Sequence, residues 1–382
     1  MPENSSHFTV LHLTDYGAPY EGNFVASLRA LEMRLGQDGN DIFYVFPRRS
    51  GGVAWTQTMM REKSNVALIQ RDVFFAYARQ IRGLLRESGA AVLHEHFIHY
   101  KQKLAALLAA KTCGHRVKTV LHLHNHIELP CSPVRRLPHL LQFSSVSRFV
   151  CCSESVAEHL IRDGIPQARV RVAENAIAFE RLDSFDPHMQ KSLALPDHAK
   201  VALMFGYHYE GKGVDLAVEA VRLLRERQAV PLYLAIVLSS RREEVQARIC
   251  SQLGLPALPD WVRLLPPRED VATYYHMADV FLSPSRQEGF CYALVEAAYC
   301  MTPVLASAID AQKDLALPQG AFFPPQDAEA LSRAIGRTLD IPCSPERAEA
   351  LADARKRVVE SYSLARWAER VAAVYDEILP RD

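Results

Sequence analysis

Short apolar runs alternate with stretches of helical spacing along this 382-residue chain, and they do so in two series. The first series opens at Phe8 to Leu13 and continues through runs at 41–46, 90–94, 117–123, 148–152 and 170–173. Phe24, Leu28, Leu31 and Leu35 recur at helical spacing within 23–35, and further helices are expected at 71–88, 101–112 and from Ser153. Residues 47–66 read as a polar loop around Gly51 and Gly52. After an irregular polar stretch near 178–198, strands are expected at 201–205, 231–238, 262–265 and 280–282. Helical patterns at 213–227, 241–253 and 268–277 alternate with them, and two amphipathic helices at 346–360 and 363–379 close the chain. Strands alternating with helices build βαβ units on a parallel sheet. The fold class is therefore α/β, with two Rossmann-like halves and no sequence repeat evident between them.

Composition narrows the partners. Forty-four basic and 44 acidic residues give zero formal charge, so no global field favours nucleic acid. No apolar run is long enough to span a bilayer, and the first residues lack a charged-then-apolar leader pattern, so a cytoplasmic protein is expected. Eight cysteines include no Cys-x-x-Cys pair, which points to free, mostly buried thiols.

The chemistry concentrates at Ser283 to Ala298. A short buried strand leads into a tight loop carrying Glu288. After Gly289, the residues Leu294, Val295, Ala297 and Ala298 mark the apolar face of a helix that also carries Glu296. Loops at the carboxyl ends of parallel strands bind ligands in α/β sheets. The backbone N–H groups of Gly289, Phe290 and Cys291 would open the helix toward anions or hydroxyls. Two carboxylates at this spacing can accept hydrogen bonds from two polyol segments of one ligand. A second loop, Gly206 to Gly213 with Lys212, follows the first strand of the second series and suits a diphosphate, its amides cradling and its ammonium neutralising.

The Pro-Ser loop with Glu288, seven residues and Glu296, followed by Pro303 to Ser307, resembles the family 4 retaining glycosyltransferases of GT-B fold. The resemblance runs along nearly the whole chain. Gly22 with Asn23 and Phe24 resembles that family's N-terminal glycine loop, Ala91 to His96 its His-x-His segment, and Val120 to His124 its strand ending in His. Val172 to Ile177 is similar to the segment before its domain linker, and Asp327 to Leu331 to the turn into a late helix. Three departures stand out: Tyr207 where the family has Arg, Met301 and Ala176 where it has Gly. Arg241 or Arg242 would then supply positive charge in place of the missing arginine.

The resemblance implies two Rossmann-like domains facing across a cleft, with the C-terminal helix crossing back to the first. The boundaries expected are 1–185 for acceptor binding, 186–360 for nucleotide-sugar binding and 361–382 for the returning helix. It implies transfer of a sugar from a nucleotide diphosphate donor to an acceptor hydroxyl with retention, as in glycan, glycolipid, polysaccharide or natural-product synthesis. Catalytic roles fall to His124, Glu288 and Lys212. Donor contacts fall to Gly22, Gly206, Lys212, Glu288, Gly289, Phe290, Cys291 and Glu296, with Glu296 on the ribose. No cofactor or metal is required, and the donor is UDP-linked ahead of GDP-linked. The acceptor is a saccharide, a lipid-linked glycan or a small molecule, met by loops at 16–22, 47–66 and 126–136. Arg135, Arg136 and Arg148, among apolar residues, suggest weak peripheral membrane contact through the first domain, against a plain solvated face.

Two other readings compete. His94 with His96, and His122 with His124 and His126, alternate along strands and so share a face, a pattern that could ligate zinc in a metal-dependent hydrolase. In the glycosyltransferase reading His124 meets the sugar, His126 is second choice, and His94 and His96 are structural. A catalytically degenerate GT-B binding protein is the third reading.

Overall fold

Both strand series form parallel sheets in the computed structural model, which describes residues 7–379 apart from 72, 128–131, 190–192, 194, 197, 228–230 and 343. The side chains of 100, 133–136 and 319 also lie outside the description. The chain divides into two compact units, one of 1–176 with 364–382 and one of 177–363.

In the first unit, β1 (Thr9–Thr14), β2 (Asp41–Pro47), β3 (Val66–Ile69), β4 (Val92–His96), β5 (Lys118–Leu123), β6 (Arg148–Cys151) and β7 (Val170–Val172) form a sheet ordered β3-β2-β1-β4-β5-β6-β7. The winding reverses between β1 and β4, the place where such sheets bind ligands. Leu28, Leu31 and Leu35 of the helix Gly22–Gln37 pack in one core with Trp367, Val371 and Tyr375 of the final helix, Leu364–Ile378. That last helix thus returns to the first sheet. Arg34 bonds Glu369 at 2.7 Å, and Arg148 and Arg171 share Glu377.

The second unit holds β8 (Lys200–Phe205), β9 (Leu232–Val237), β10 (Val262–Leu265), β11 (Val280–Ser283), β12 (Val304–Ser307) and β13 (Phe322–Phe323), ordered β10-β9-β8-β11-β12-β13. Its reversal lies between β8 and β11. The helix Val214–Arg227 buries Val214, Ala217, Val218, Val221 and Leu224 against β8 and β9. The helix Ala328–Asp340 adds Leu331 and Ile335 to the same core, its N-terminus capped by Asp327 accepting from Ala330 N. Both sheets therefore put a strand-order reversal beside their chemistry-bearing loops.

Some expected boundaries moved. Residues 47–66 are no plain loop: a 3₁₀ turn at Arg48–Gly52 and a helix at Ala54–Glu62 precede the edge strand β3. That helix is polar in sequence, yet Trp55 and Met59 anchor it in the core. The strand expected at 90–94 lies at Val92–His96, because His94, Glu95 and His96 are buried despite their polarity. The helices expected to begin near 71 and 268 begin at Phe74 and Ala272. A helix at Pro133–Ser144 lies in the stretch where the basic amphipathic surface was expected. Of the cysteines, Cys113, Cys151, Cys152, Cys291 and Cys300 are buried thiols, Cys250 is a half-buried thiol, and Cys131 and Cys343 lie outside the described residues.

Candidate active site

In the second unit, β8 and β11 are neighbours, so the loops that follow them meet. Gly213 makes that approach possible. It sits at φ +67°, and a Cβ there would come within 2.0 Å of the Pro284 carbonyl oxygen. Gly206 is as confined, since a Cβ would stand 2.6 Å from Ile236 Cγ2 and 2.8 Å from Val214 Cγ2. The backbone N–H of Arg286 donates to Gly211 O at 3.0 Å. The Arg286 guanidinium grips both Asp215 carboxylate oxygens, at 2.8 and 2.6 Å, and also bonds the Glu210 carbonyl. This fork-on-fork pair latches the glycine loop to the Pro-Ser loop.

Within the latched pair, Lys212 Nζ lies 2.5 Å from Glu288 Oε1, which also accepts from Ser285 Oγ at 2.7 Å. Burial opposes the Lys212 charge, but the Glu288 carboxylate outweighs it and holds the ammonium pKa above its ordinary value. Lys212 also stands 5.0 Å from the Tyr207 ring centroid, so the tyrosine found where an arginine was expected contributes a π face and no charge. Arg241 and Arg242, the proposed compensation, are exposed at the start of the helix Arg242–Leu253, with Arg241 Nη1 3.8 Å from Glu244.

Past Glu288 the chain enters the helix Tyr292–Tyr299 with Cys291 as its N-cap. Phe290 is buried in edge contacts with Tyr292 and Tyr362, at 5.2 and 5.3 Å between centroids. Burial, then Glu288, pushes the Cys291 thiol up to about 11, so it stays protonated at neutral pH. Glu296 is buried and engaged: Tyr275 donates to Oε2 at 2.7 Å and Arg181 pairs with Oε1. The sequence foretold neither partner, because 115 and 21 residues separate them from Glu296. Met301, after this helix, adopts φ +57°, the conformation that favours the glycine expected there, while Ala176 has no positive φ and is buried.

Gly22 and His124 belong to the first unit. Gly22, at φ +59°, opens the first helix. His124 follows β5 and joins His12, His94, His96 and His122 in one cluster. The register explains it: His12 pairs with His94 and His96 with His122, and residues two apart share a face. His12 Nδ1 lies 3.0 Å from His96 Nε2, and His96 Nδ1 lies 3.1 Å from His124 Nε2. Tyr375 OH bonds His94 Nδ1 at 2.6 Å and His12 Nε2 at 3.2 Å. Burial lowers His12 and His124 to about 3, and burial and then neighbouring imidazoles hold His94 and His96 well below the ordinary histidine value, so these rings are neutral. His126 is not in the cluster: its ring lies against His159, and its Nε2 is 3.5 Å from Ser155 Oγ. His12 is the member that sequence spacing could not reveal.

Also in the first unit, Asp15, Arg48, Arg49, Gln70 and Arg71 line a cavity of about 500 Å³. Arg49 and Arg71 both pair with Asp15, and Arg48 bonds Gln70 at 3.2 Å. Residues 128–131 and the side chains of Arg135 and Arg136 lie outside the description, so the basic surface expected there rests on Arg148 alone, which pairs with Glu377. No helix among the described residues is long and apolar enough to cross a membrane.

Residues 186–358 match the family model for glycosyl transferases group 1, and residues 27–181 match that for glycosyltransferase family 4. An MMP α-(1→4)-mannosyltransferase of Mycolicibacterium hassiacum is 31% identical over 44% of this chain and 41% of its own. A D-inositol 3-phosphate glycosyltransferase of Thermobispora bispora is 25% identical over 59% of this chain and 57% of its own. The chain thus spans about half the length of these curated relatives. Among solved structures, a glycosyltransferase from Rickettsia africae superposes with a TM-score of 0.81 at 18% identity, covering 99% of this chain and 100% of that one. Anabaena HepE in complex with UDP and glucose superposes with a TM-score of 0.77 at 16% identity, over 97% and 100%. The fold of these structures is GT-B.

Proposed function

The chain belongs to the group 1, family 4 glycosyltransferases, and from that premise we propose that it transfers a sugar from a nucleotide diphosphate donor to an acceptor hydroxyl with retention of configuration. The observation that carries this reading is the Lys212–Glu288 pair on two loops latched together at the strand-order reversal of the second sheet. The donor diphosphate sits on the glycine loop, where Lys212 stabilises the charge that develops on the leaving group. Glu288 then passes from Lys212 to the hydroxyls of the transferred sugar. The departing phosphate takes the acceptor's proton on the same face, so no protein base is needed. Glu296 receives the ribose hydroxyls, with Arg181 and Tyr275 holding the carboxylate in place.

The donor is UDP-linked. HepE, of the same fold, carries UDP in its solved complex, and GDP is the second candidate. The acceptor carries a phosphate or another anionic group. Three arginines line the first unit's cavity, and one relative is named a D-inositol 3-phosphate glycosyltransferase.

The test is a thermal-shift series with UDP, GDP, ADP and their sugar conjugates, since ligand binding raises the midpoint by mass action. UDP raises it selectively, and a Lys212→Ala variant loses that shift. Glu288→Gln lowers transfer by about 100-fold, the scale of one lost electrostatic contact at a transition state. No shift with any nucleotide, or full transfer by Glu288→Gln, rejects the assignment.

A further inference from the structure

The histidine cluster of the first sheet has a feature that the transferase reading leaves unused. His122 is 2% exposed, and neither of its ring nitrogens has a hydrogen-bond partner among the described residues. A neutral imidazole carries one donor and one acceptor, and buried polar groups of this kind are almost always satisfied. The other rings do find partners. His12, His96 and His124 form a chain of nitrogen contacts, and Tyr375 bonds both His12 and His94. His122 is stacked between His94 and His124, at 5.4 and 4.4 Å between centroids, with nothing to bond.

We propose that His96, His122 and His124 form a binding site for a divalent transition-metal ion of the class that prefers imidazole, zinc first. One nitrogen from each ring lies within 4.8 Å of the others. Two nitrogens on one tetrahedral zinc stand about 3.3 Å apart for Zn–N bonds near 2.0 Å, and His96 and His124 already stand 3.1 Å apart. A turn of the His122 ring out of its stack on His124 brings its nitrogen in. The alternative trio, His12, His94 and His96, meets the same distance criterion, but Tyr375 already bonds two of its members. The chosen trio is also the one that opens outward, since His124 is partly exposed while His12 and His94 are fully buried. Three imidazoles leave a fourth position for water or a ligand oxygen.

The chain beside the trio is strained. Phe97, next after His96, adopts φ +57°, which a bulky residue rarely accepts, and its ring stacks on His124 at 4.0 Å. Strain of this kind gathers where a ligand site must be held. Phe24 meets His96 edge-on at 5.1 Å and keeps that side apolar.

The site is tested on the full-length protein after dialysis against a chelator, by titration with zinc and separately with cobalt(II). One zinc bound per chain is expected, with cobalt giving the visible absorption of a tetrahedral site. X-ray absorption of the zinc-loaded protein should count three imidazole ligands, a measurement that needs no variant. His122→Asn and His124→Asn should each weaken zinc binding more than tenfold, whereas His276→Gln, outside the cluster, should not. Oxygen or thiolate ligation, sub-stoichiometric zinc, or binding unchanged in both cluster variants overturns the proposal. Nucleotide shifts measured on the same samples report on the donor site separately, so either proposal can fail while the other stands.

Discussion

Met301 shows what a single position can carry. Its φ of +57° at the end of the helix Tyr292–Tyr299 is the left-handed conformation that terminates helices and costs a side-chain-bearing residue about 1 kcal/mol. Half-exposed, it makes little packing in return. Met301→Gly is therefore expected to raise stability by up to about 1 kcal/mol in urea unfolding, with nucleotide binding unchanged. Cysteine chemistry belongs to this scale too. Burial raises Cys151, Cys291 and Cys300 to about 12, 11 and 12. These folded pKa values lie above the unfolded ones, so the native state holds protons that the unfolded state releases above pH 9. That stability is complete below pH 9 and is lost as pH rises toward 11 to 12. Native protein at pH 8 should consume thiol reagent slowly at these three sites and rapidly in denaturant; rapid native labelling of Cys291 contradicts the buried environment described for it.

Between elements, the latch from Arg286 to Asp215 decides whether the two loops proposed to hold the donor act as one. The pair is partly buried and bidentate, so its loss costs about 1 kcal/mol of stability. The larger effect is expected on nucleotide affinity, because the loops lose their relative position. Arg286→Lys keeps the charge but not the fork, and should weaken UDP binding nearly as much as Arg286→Ala. If lysine restores full binding, charge alone holds the loops. Gly213→Ala is more severe, since its Cβ would press on backbone at Pro284 and no side chain can move aside. A loss of more than about 2 kcal/mol is expected from strain and clash together, read as a lowered urea midpoint. At this scale the sequence was partly legible. Lys212, Glu288 and the glycines of their loops stand out by motif, and the strand-loop-helix order around them follows from apolar spacing. Nothing in the sequence marks Arg286, Asp215 or Arg181 as paired, because their partners lie 71 and 115 residues away.

Each unit of the molecule follows the same plan, a doubly wound parallel sheet with its reactive side chains at the reversal of strand order. The first depends on the chain's far end. Trp367, Val371 and Tyr375 fill the core beside Leu28 and Leu31, so truncation after Ser363 should unfold the first unit and abolish its cooperative transition in differential scanning calorimetry. A truncated protein that keeps both transitions removes that dependence. Local pattern alone determined much of this: apolar periodicity yields the α/β class, and glycine and lysine in fixed order after a strand mark the loop proposed to hold the donor. The arrangement of strands side by side was decided only in three dimensions. His12 and His96 are 84 residues apart, and they touch because β1 lies between β2 and β4. The physical reason is one of range. Backbone propensity and side-chain periodicity act over a few residues, whereas strand order is set by the burial of whole faces, and only that order brings distant histidines, or an arginine and a glutamate, within bonding distance.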